Sequence, residues 1–513
     1  MRKLITFFSL LCLSTLTFAD TILHIDTKNP GAEINKDVYG QFVEHLGRGI
    51  YEGIWVGADS SIPNTKGYRK DVLKALKELQ VPLMRWPGGC YADIYHWRDG
   101  IGPRKERPKN LNAWWGGVIE DNSFGTHEFL DLAELIGSDV YVNANLGTGT
   151  PQEMMDWLEY MTAEGDSDLA NLRRANGRDK PWRIKYLAIG NEAWGCGGNM
   201  SPEYYANLYK HYATFVKTPS DNTPILIASG GDGDKTVWTE TLAQIKSNWS
   251  IRIDGISHHY YTLPTGDWGS KGNATGFKED QWFSTFKRTL LLEDYIQANL
   301  AVMDKYDPEK KLGFYVDEWG IWLDTKEGDN PGFLYQQNSL RDGLLAAVNL
   351  NMFHKYAERV RMTNIAQMIN VLQAMILTDK EKMVLTPTYH VFKMHIPFQG
   401  ATALTTKIGE LPLYQFDGDK LPGISASAAK GKDGKIWLSL VNLDPNKASK
   451  IEIDAGEKIK GAQGQILTAN EMDAHNTFAK PTRIKPAKYS AKAKNGNLVL
   501  ELPAKSVVVV ALQ

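Results

Sequence analysis

The chain has 513 residues, a length typical of two or three domains rather than one small module. Lys and Arg total 58 and Asp and Glu total 60, so the formal net charge is −2 and no basic excess supports nucleic-acid binding. Hydrophobic residues make up 42%, which excludes wholesale disorder. The 15 Trp residues favour binding of flat sugar faces, although tryptophans buried in a large core would explain them equally well.

The N-terminus has the pattern of a secretory signal peptide, which we predict over residues 1–19. Arg2 and Lys3 make the first residues basic, and an apolar segment follows them. The small residues Thr17 and Ala19 suit cleavage after Ala19. Removal of this segment takes two cations and leaves 56 basic against 60 acidic residues, or −4. The sequence therefore predicts an exported protein that is periplasmic, attached to the cell surface or extracellular.

Three cysteines raise the questions of lipid attachment and of a disulfide. The segment before Cys12 is a weak lipoprotein cleavage box, but the bulky Leu11 argues against lipid attachment. Cys90 and Cys196 are 106 positions apart (196 − 90), and nothing in the sequence demands that they pair. No CxxC motif or Cys/His zinc cluster is present.

From about residue 36 to 400, short runs of β-branched or aromatic residues alternate with longer helical patterns. The runs predict strands at Val38–Glu44, Val81–Trp86, Val140–Asn145, Ile184–Gly190, Pro224–Ser229, Ile253–His258, Phe314–Glu318 and Met362–Asn370. Among the helices, one opens at Thr150 with Pro next and Glu153 in capping-box position. Eight such units predict an α/β fold, a (β/α)8 TIM barrel with long insertions. A doubly wound open sheet is the alternative, although no G-x-G-x-x-G or Walker loop follows a strand.

After about residue 400 the pattern changes to short strands divided by Gly, Asp, Asn and Lys. The runs are Leu413–Phe416, Ile424–Ala429, Lys435–Asn442, Ile451–Ala455, Gln463–Thr468 and Ser506–Leu512. They predict a jelly-roll-like all-β sandwich over residues 401–513. An alternating strand at Thr21–Ile25 predicts that residues 20–35 join this β domain, which leaves residues 36–400 for the catalytic barrel.

Polar residues at the carboxyl ends of barrel strands face the active site of a (β/α)8 enzyme. Glu192 and Glu318 lie at the ends of the fourth and seventh predicted strands, 126 positions apart (318 − 192). A retaining glycosidase needs two carboxyl groups about 5–5.5 Å apart, and these strand ends can provide them. Asn191 is suited to hydrogen-bond a sugar 2-hydroxyl. A single strand-end Glu is more often a cap or an ion-pair partner, but the combination with Asn191 favours catalysis.

Other strand ends add further candidates. Glu44 either pairs with Arg85 or binds sugar hydroxyls, because an ionised carboxylate in a buried strand needs partners. Arg85 is predicted to orient a catalytic carboxylate through paired donors. Of the adjacent His258 and His259, which point to opposite faces, we place His259 in the site. The histidines have no metal spacing and no G-x-S-x-G elbow exists, so we predict no metal or organic cofactor and no esterase.

Five separated motifs complete the pattern: Gly40–Tyr51, Arg85–Cys90, Gly190–Glu192, Asp317–Trp322 and Asn364–Gln367. In content and order they resemble the α-L-arabinofuranosidases of glycoside hydrolase family 51, and the resemblance covers nearly the whole mature chain. It implies a barrel whose acid/base and nucleophile lie on the fourth and seventh strands. Glu192 then matches the acid/base and Glu318 the nucleophile.

The resemblance also implies a set of sugar-binding positions. Those matching the residues that hold the terminal arabinofuranose are Glu44, Cys90, Asn191, Tyr261 and Gln367, and Trp322 matches an aromatic residue on the leaving-group side. Tyr260 competes with Tyr261 by one position, and Trp114 competes with Trp115 for a loop aromatic after the second strand. A thiol that contacts sugar should be free, which argues against pairing of Cys90.

The sequence thus predicts a retaining exo-acting α-L-arabinofuranosidase that uses double displacement. Its expected substrates are arabinose-containing plant polysaccharides and oligosaccharides, such as arabinan and arabinoxylan, and the resemblance suggests that homo-oligomers are common. One alternative is another retaining barrel glycosidase, an endo-glucanase or a xylosidase. The other is a non-catalytic polysaccharide-binding protein.

Overall fold

The computed structural model describes residues 21–513, so the predicted signal peptide and Cys12 lie outside the described residues. In chain order, the strands of the described part are β1 Ile22–Glu33, β2 Gly40–Phe42, β3 Asn64–Thr65, β4 Tyr68–Arg69, β5 Leu83–Trp86, β6 Asn110–Asn112, β7 Val118–Glu120, β8 Asp139–Ala144, β9 Tyr186–Ile189, β10 Ile225–Ala228, β11 Gly255–Thr262, β12 Gly313–Ile321, β13 Val360–Ile365, β14 Ile376–Asp379, β15 Lys382–Leu385, β16 Thr402–Ile408, β17 Leu413–Phe416, β18 Asp419–Pro422, β19 Ile424–Lys430, β20 Ile436–Asn442, β21 Ser449–Asp454, β22 Gly461–Thr468, β23 Ala487–Lys492, β24 Leu498–Leu502 and β25 Ser506–Leu512. The α-helices are α1 Lys70–Leu79, α2 Thr126–Ile136, α3 Pro151–Thr162, α4 Asp168–Ala175, α5 Pro202–Thr214, α6 Thr236–Ala243, α7 Glu279–Thr289, α8 Leu291–Tyr306, α9 Leu340–Lys355 and α10 Pro387–Met394.

Eight parallel strands close into a barrel in the order β2, β5, β8, β9, β10, β11, β12 and β13. The closure is made by β13 and β2, where Asn364 pairs with Gly40. This arrangement confirms the predicted (β/α)8 fold and excludes the doubly wound open sheet. In the sixth and seventh barrel strands, β11 and β12, His259 stands opposite Glu318 in register. The barrel therefore places these two side chains next to each other at its carboxyl end.

Several barrel elements differ from their predicted bounds. The first strand is short because Lys36–Tyr39 forms a 3-10 helix, which Asn35 caps by accepting from the backbone of Asp37. The sixth and seventh strands run beyond the predicted ends. At the start of α3, Thr150 accepts from the backbone N–H of Glu153, as expected of an N-cap. The predicted capping box is not formed, because the carboxylate of Glu153 bonds His96 instead.

Helix α9 lies between the barrel and the β domain and is buried along nearly its whole length. It contacts β12 on one side and strands β16, β19, β20 and β25 on the other. Below the active site, the fully buried Trp319 of β12 packs against Phe353 of α9 and Phe392 of α10. Its indole N–H donates to Thr363. Truncating such a side chain costs about 3–5 kcal/mol, so this packing fixes the strand that carries Glu318.

The C-terminal all-β domain, which the structure confirms, is a nine-stranded sheet in the order β23-β22-β25-β20-β19-β16-β1-β21-β24. The N-terminal strand β1 belongs to it, antiparallel to β16 and parallel to β21. Strand β24 also contacts β20, β23 and β25, so the sheet folds over a core of its own. The hairpin of β17 and β18 stays outside this sheet and packs on α7. Between residues 21 and 513, no helix is both long and apolar enough to cross a membrane.

Candidate active site

Two carboxylates meet at the carboxyl end of the barrel. Glu318 lies within β12, whereas Glu192 lies just beyond the end of β9. One oxygen of each lies within 4.8 Å of the other, and His259 joins them. Its Nδ1 is 2.8 Å from Oε1 of Glu192 and 3.7 Å from Oε2 of Glu318. Retaining glycosidases separate their carboxyl groups by about 5–5.5 Å and inverting enzymes by about 6.5–9.5 Å, so this spacing suits retention.

Glu318 is held by donors on both oxygens. Arg85 Nη1 donates to Oε2 at 2.8 Å, and the hydroxyl of Tyr261 donates to Oε1 at 2.7 Å. The same Nη1 also donates to the carbonyl of Asp317 at 2.9 Å, and the Arg85 guanidinium lies 4.4 Å from the ring centre of Phe42. Burial opposes the charge of Arg85, but Asp317 and Glu318 outweigh it and raise the arginine pKa. A permanent cation thus fixes the orientation of the Glu318 carboxylate.

Glu192 is held more loosely than Glu318. It follows Gly190 in a sharp turn, and its own φ of 40° lies in the left-handed region that non-glycine residues seldom adopt. Among residues 21–513, the group that hydrogen-bonds its carboxyl group is His259. Burial raises the pKa of Glu192, the nearby charge of Glu318 adds to this, and the hydrogen bond from His259 opposes it. A raised pKa is what a general acid at neutral pH requires.

His259 is the cation between the two glutamates. Burial alone would lower its pKa, but the charges and hydrogen bonds of Glu318, Asp317 and Glu192 raise it to about 10. Its Nε2 lies 3.3 Å from Oδ1 of Asp317. The neighbouring His258 points to the opposite face of the strand and lies beside Phe314, where burial lowers its pKa to about 3. The structure therefore brings His259, and not His258, into the site.

Glu44 is a buried acidic group that lines the cleft. Its Oε1 accepts from the backbone of Gly89 and Tyr91 and from the indole of Trp115, at 2.9, 3.1 and 3.0 Å. Its Oε2 accepts from Gln367 at 2.9 Å. Burial and the charge of Glu318 raise the pKa of Glu44 to about 7. Of the two roles open from the sequence, this geometry disfavours a pair with Arg85, whose guanidinium bonds Glu318 and Asn191 instead.

Asn191 and Gln367 orient amide groups at the same site. Asn191 Oδ1 accepts from Arg85 Nη2 at 2.5 Å, and its backbone N–H donates to Asp93 at 3.0 Å. The side-chain oxygen of Gln367 is buried without a partner among the described residues. A sugar hydroxyl could supply the missing donor. Asn191 thus lies beside Glu192 and Gln367 beside Glu44, and their sugar-binding roles stay predictions.

Cys90 lines the cleft but is not a free thiol, which corrects the sequence expectation. It forms a disulfide with Cys196. Cys90 begins the 3-10 helix Cys90–Ile94 after the second barrel strand, and Cys196 lies four residues past Glu192. Closure of the barrel brings the two Cα atoms to 5.5 Å, a normal distance for a disulfide. The sequence could not reveal this, because the two loops meet only in the folded barrel.

The cleft encloses about 500 Å³ and has aromatic walls. Trp115 lines it, whereas Trp114 is 44% exposed and lies outside, so the structure selects between them. Trp322 packs edge-on against Tyr261 at 5.0 Å. Tyr260 also lines the cleft, but its hydroxyl donates to the carbonyl of Arg288 and not to Glu318. Sequence reasoning missed Trp268, which packs edge-on against Trp322 at 5.2 Å. No motif marks its loop, and only the fold brings it to the cleft.

Glu192, His259 and Glu318 are spaced so that they could ligate a metal ion. Their chemistry does not suit one. Oε2 of Glu318 already accepts from Arg85, and Nδ1 of His259 already bonds Oε1 of Glu192. The arrangement fits proton transfer and nucleophilic attack better than metal binding.

Comparisons with known proteins point to one family. The protein-family model described as "Alpha-L-arabinofuranosidase 1 domain" matches residues 75–279, and the family model described as "Alpha-L-arabinofuranosidase C-terminal domain" matches residues 317–506. An "Intracellular exo-alpha-L-arabinofuranosidase" of Bacteroides ovatus is 51% identical over 98% of this chain and 97% of its own. The crystal structure of the GH51 arabinofuranosidase from Xanthomonas axonopodis pv. citri is 48% identical with a TM-score of 0.94, covering 97% of this chain and 100% of that one. The arabinose complex of the Thermotoga maritima α-L-arabinofuranosidase is 29% identical with a TM-score of 0.80, covering 96% and 99%.

The prediction of an exported protein is wrong in the light of these comparisons. The Bacteroides ovatus relative, which aligns with 98% of this chain, is named an intracellular enzyme. The apolar pattern behind the prediction lies within residues 1–20, outside the residues that the structure describes. A short apolar start with small residues near its end is a weak signal by itself.

The site geometry and the similarity to named enzymes agree. Two matched domains, a relative 51% identical over almost the whole chain and a structural neighbour with a TM-score of 0.94 leave no role for the non-catalytic alternative. The chain is a glycoside hydrolase and belongs to the α-L-arabinofuranosidases of glycoside hydrolase family 51.

Proposed function

We propose that this protein releases terminal arabinofuranose from arabinose-containing glycans as a retaining exo-α-L-arabinofuranosidase, with Glu318 as nucleophile and Glu192 as acid/base. The observation that carries the proposal is the spacing of the two carboxylates, whose oxygens lie within 4.8 Å and share His259. The spacing is close to the about 5–5.5 Å of retaining enzymes and shorter than the about 6.5–9.5 Å that inverting enzymes need for their attacking water.

In the first step Glu318 attacks the anomeric carbon while Glu192 gives its proton to the leaving oxygen. Arg85 and Tyr261 hold the Glu318 oxygens, so attack needs no reorientation of the carboxylate. A covalent arabinosyl ester forms on Glu318, and the freed alcohol carries the proton of Glu192. Loss of the Glu318 charge removes one of the influences that raise the pKa of Glu192.

In the second step Glu192 acts as a base. Its carboxylate, now of lower pKa, takes a proton from water as the water oxygen attacks the anomeric carbon. The ester bond to Glu318 breaks, arabinose leaves with retained configuration, and Glu192 is again protonated. Two displacements at one carbon restore the starting configuration.

Sugar recognition is assigned to the groups around Glu44. Glu44 and the unpartnered oxygen of Gln367 offer acceptors to sugar hydroxyls, and Asn191 lies directly beside Glu192. Their burial supports an exo mode of action, because buried acceptors suit the enclosure of one terminal sugar. The cleft of about 500 Å³ exceeds the volume of one pentose, which leaves space for part of the leaving group beside Trp322 and Trp268.

A product assay tests the activity and its closest alternative. Incubation with arabinan, arabinoxylan and xylan should release free arabinose from the first two and nothing from unsubstituted xylan. Release of xylose or of shorter xylo- or gluco-oligosaccharides would favour a xylosidase or endo-glucanase instead. Proton NMR during the first minutes should show the α-anomer of arabinose before mutarotation, whereas the β-anomer would contradict retention.

From the name of the Bacteroides ovatus relative we infer action inside the cell. The test is fractionation of the source cells with one enzyme marker for each compartment. Activity that follows the cytoplasmic marker supports the inference, and activity in the periplasm or the medium contradicts it.

A further inference from the structure

The Cys90–Cys196 disulfide lies directly beside the proposed acid/base. The sulfur of Cys196 is 3.5 Å from Oε2 of Glu192, the oxygen that His259 does not bond. It is also 3.8 Å from the side-chain nitrogen of Asn191. A disulfide sulfur carries no hydrogen, so it contacts this carboxyl oxygen without donating to it.

The loop that carries Cys196 is held by backbone hydrogen bonds within its own turn, and the disulfide attaches it to the rest of the barrel. Residues 195–199 read Gly-Cys-Gly-Gly-Asn, and the backbones of Gly195 and Gly197 donate to the carbonyl of Glu192 at 2.7 and 3.1 Å. A Cβ on Gly197 would lie 1.9 Å from the carbonyl oxygen of Asn191, so this close approach requires glycine. Three glycines in five residues give an untethered loop many conformations. The disulfide removes this freedom.

The partner cysteine begins a well-anchored element. In the helix Cys90–Ile94, Asp93 accepts from the backbones of Leu146 and Gly147, each at 2.8 Å, and from Asn191 at 3.0 Å. The residues on both sides of Glu192 are therefore attached to the same helix. Asp93 holds the residue before it, and the disulfide holds the loop after it.

We propose that Cys196 is a positioning residue for Glu192, and that the Cys90–Cys196 disulfide makes acid catalysis depend on the thiol redox state. Reduction breaks the S–S bond: two molecules of a small thiol supply two electrons and two protons, both cysteines become thiols, and the reductant forms its own disulfide. The loop after Glu192 then keeps the backbone hydrogen bonds of its turn but loses its covalent link to the helix Cys90–Ile94. The proposal rests on the proposed role of Glu192.

Reduction also changes the chemistry next to Oε2. The Cys196 thiol acquires a hydrogen that it can donate to the carboxylate form of Glu192. A hydrogen bond to the charged form lowers a carboxyl pKa, so fewer Glu192 groups hold a proton at neutral pH. Cytoplasmic thiols reduce exposed disulfides, whereas oxidising compartments preserve them. The dithiol form is therefore expected in the cytoplasm and the disulfide form in an oxidising compartment.

The first experiment counts thiols and compares leaving groups on the full chain. After denaturation, a thiol reagent should detect two more thiols in protein treated with dithiothreitol than in untreated protein. For kcat/KM, reduction should change hydrolysis of a dinitrophenyl arabinofuranoside by less than about 2-fold and slow that of a phenyl arabinofuranoside by roughly 10-fold, because only the poor leaving group needs the acid. The alkaline limb of the kcat/KM profile should move to lower pH. Reoxidation with oxidised glutathione should restore both.

Variants separate positioning from folding. Cys196→Ala should be slow on the phenyl substrate and insensitive to dithiothreitol, whereas Cys12→Ser should respond as the wild type does. Glu192→Gln should be slow on the phenyl substrate in both redox states. If it is, and reduction leaves the wild-type substrate ratio unchanged, the redox inference fails while the role of Glu192 stands. If Glu192→Gln hydrolyses the phenyl substrate normally, the proposed function itself fails. Equal loss on both substrates with a lower melting temperature would mean a merely structural disulfide and would overturn the inference.

Discussion

The two halves of the active site hold their glutamates in different ways. Glu318 stands inside a regular strand, with Arg85 and Tyr261 donating to its two oxygens. Glu192 stands past the end of its strand at a φ of 40°, with one hydrogen bond to His259 and a disulfide sulfur beside it. A nucleophile must stay charged and aimed, whereas an acid/base must exchange a proton in each turnover. The barrel thus holds the carboxylate of Glu318 rigidly, whereas the carboxyl group of Glu192 has fewer fixed hydrogen-bond partners.

The largest loss of activity is expected from removal of Glu318, the proposed nucleophile. Glu318→Ala should lower kcat/KM by about 10⁴-fold or more on every aryl arabinofuranoside, because no covalent intermediate can form. Added azide should restore turnover and give a glycosyl azide of inverted configuration. The exposed Glu327→Ala is the matched control and should keep wild-type activity. Full activity in the Glu318 variant would remove this residue from the mechanism.

Removal of the acid should have a smaller and substrate-dependent effect. Glu192→Ala should lower kcat/KM by roughly 10²–10⁴-fold on a phenyl arabinofuranoside, which needs protonation of its leaving oxygen. A dinitrophenyl substrate should lose much less in the glycosylation step. Azide should accelerate the slow second step and give a product of retained configuration. Equal losses on both substrates would contradict the assignment of general acid catalysis.

The third change removes one hydrogen bond to Glu318 without removing the charge of that carboxylate. Tyr261→Phe removes the hydroxyl that donates to Oε1 of Glu318. A hydrogen bond to a charged group is worth about 1.5–3 kcal/mol, so kcat/KM should fall by about 10- to 150-fold. Tyr260→Phe is the matched neighbour and should lose much less, because its hydroxyl donates to the carbonyl of Arg288. The reverse order would mean that Tyr260 is the functional residue.

A fourth change tests how the site charges affect stability. The pKa of Glu44 is raised from 4.5 to about 7 by burial and by Glu318, so its stabilising contribution is complete below about pH 4.5 and is lost as the pH rises through 7. Glu44→Gln removes this titration. Relative to the wild type, its free energy of unfolding should rise by about 1–3 kcal/mol between pH 5 and pH 8, while activity falls. Denaturant unfolding at the two pH values measures this, and a pH-independent difference would contradict the raised pKa.

The sequence predicted the strand-end residues around Glu318 better than the loops that line the cleft. Carboxyl ends of parallel strands must meet at one end of a barrel, so strand-end motifs sufficed to bring Glu318, Arg85 and His259 together. Loops obey no such rule. The choice between Trp114 and Trp115, the pairing of Cys90 with Cys196 and the approach of Trp268 depend on loop paths that no local pattern encodes. Strand β23 was missed because its run of Ala, Lys, Tyr and Ser is polar and half-exposed, whereas the apolar alternation of β24 was present in the sequence but short.

The smallest expected effect concerns the leaving-group side. Trp268 is 57% exposed and packs edge-on against Trp322, which places it where the cleft opens beyond Glu318. An aromatic contact of this kind contributes about 0.5–1.5 kcal/mol. Trp268→Ala should therefore raise KM for an arabinoxylan oligosaccharide by about 2- to 10-fold and leave kcat/KM for a dinitrophenyl arabinofuranoside unchanged. Trp249→Ala, a 91% exposed tryptophan outside the cleft, should change neither value. An equal loss on the two substrates would place Trp268 in the support of Trp322 and Tyr261 instead of in contact with the departing glycan.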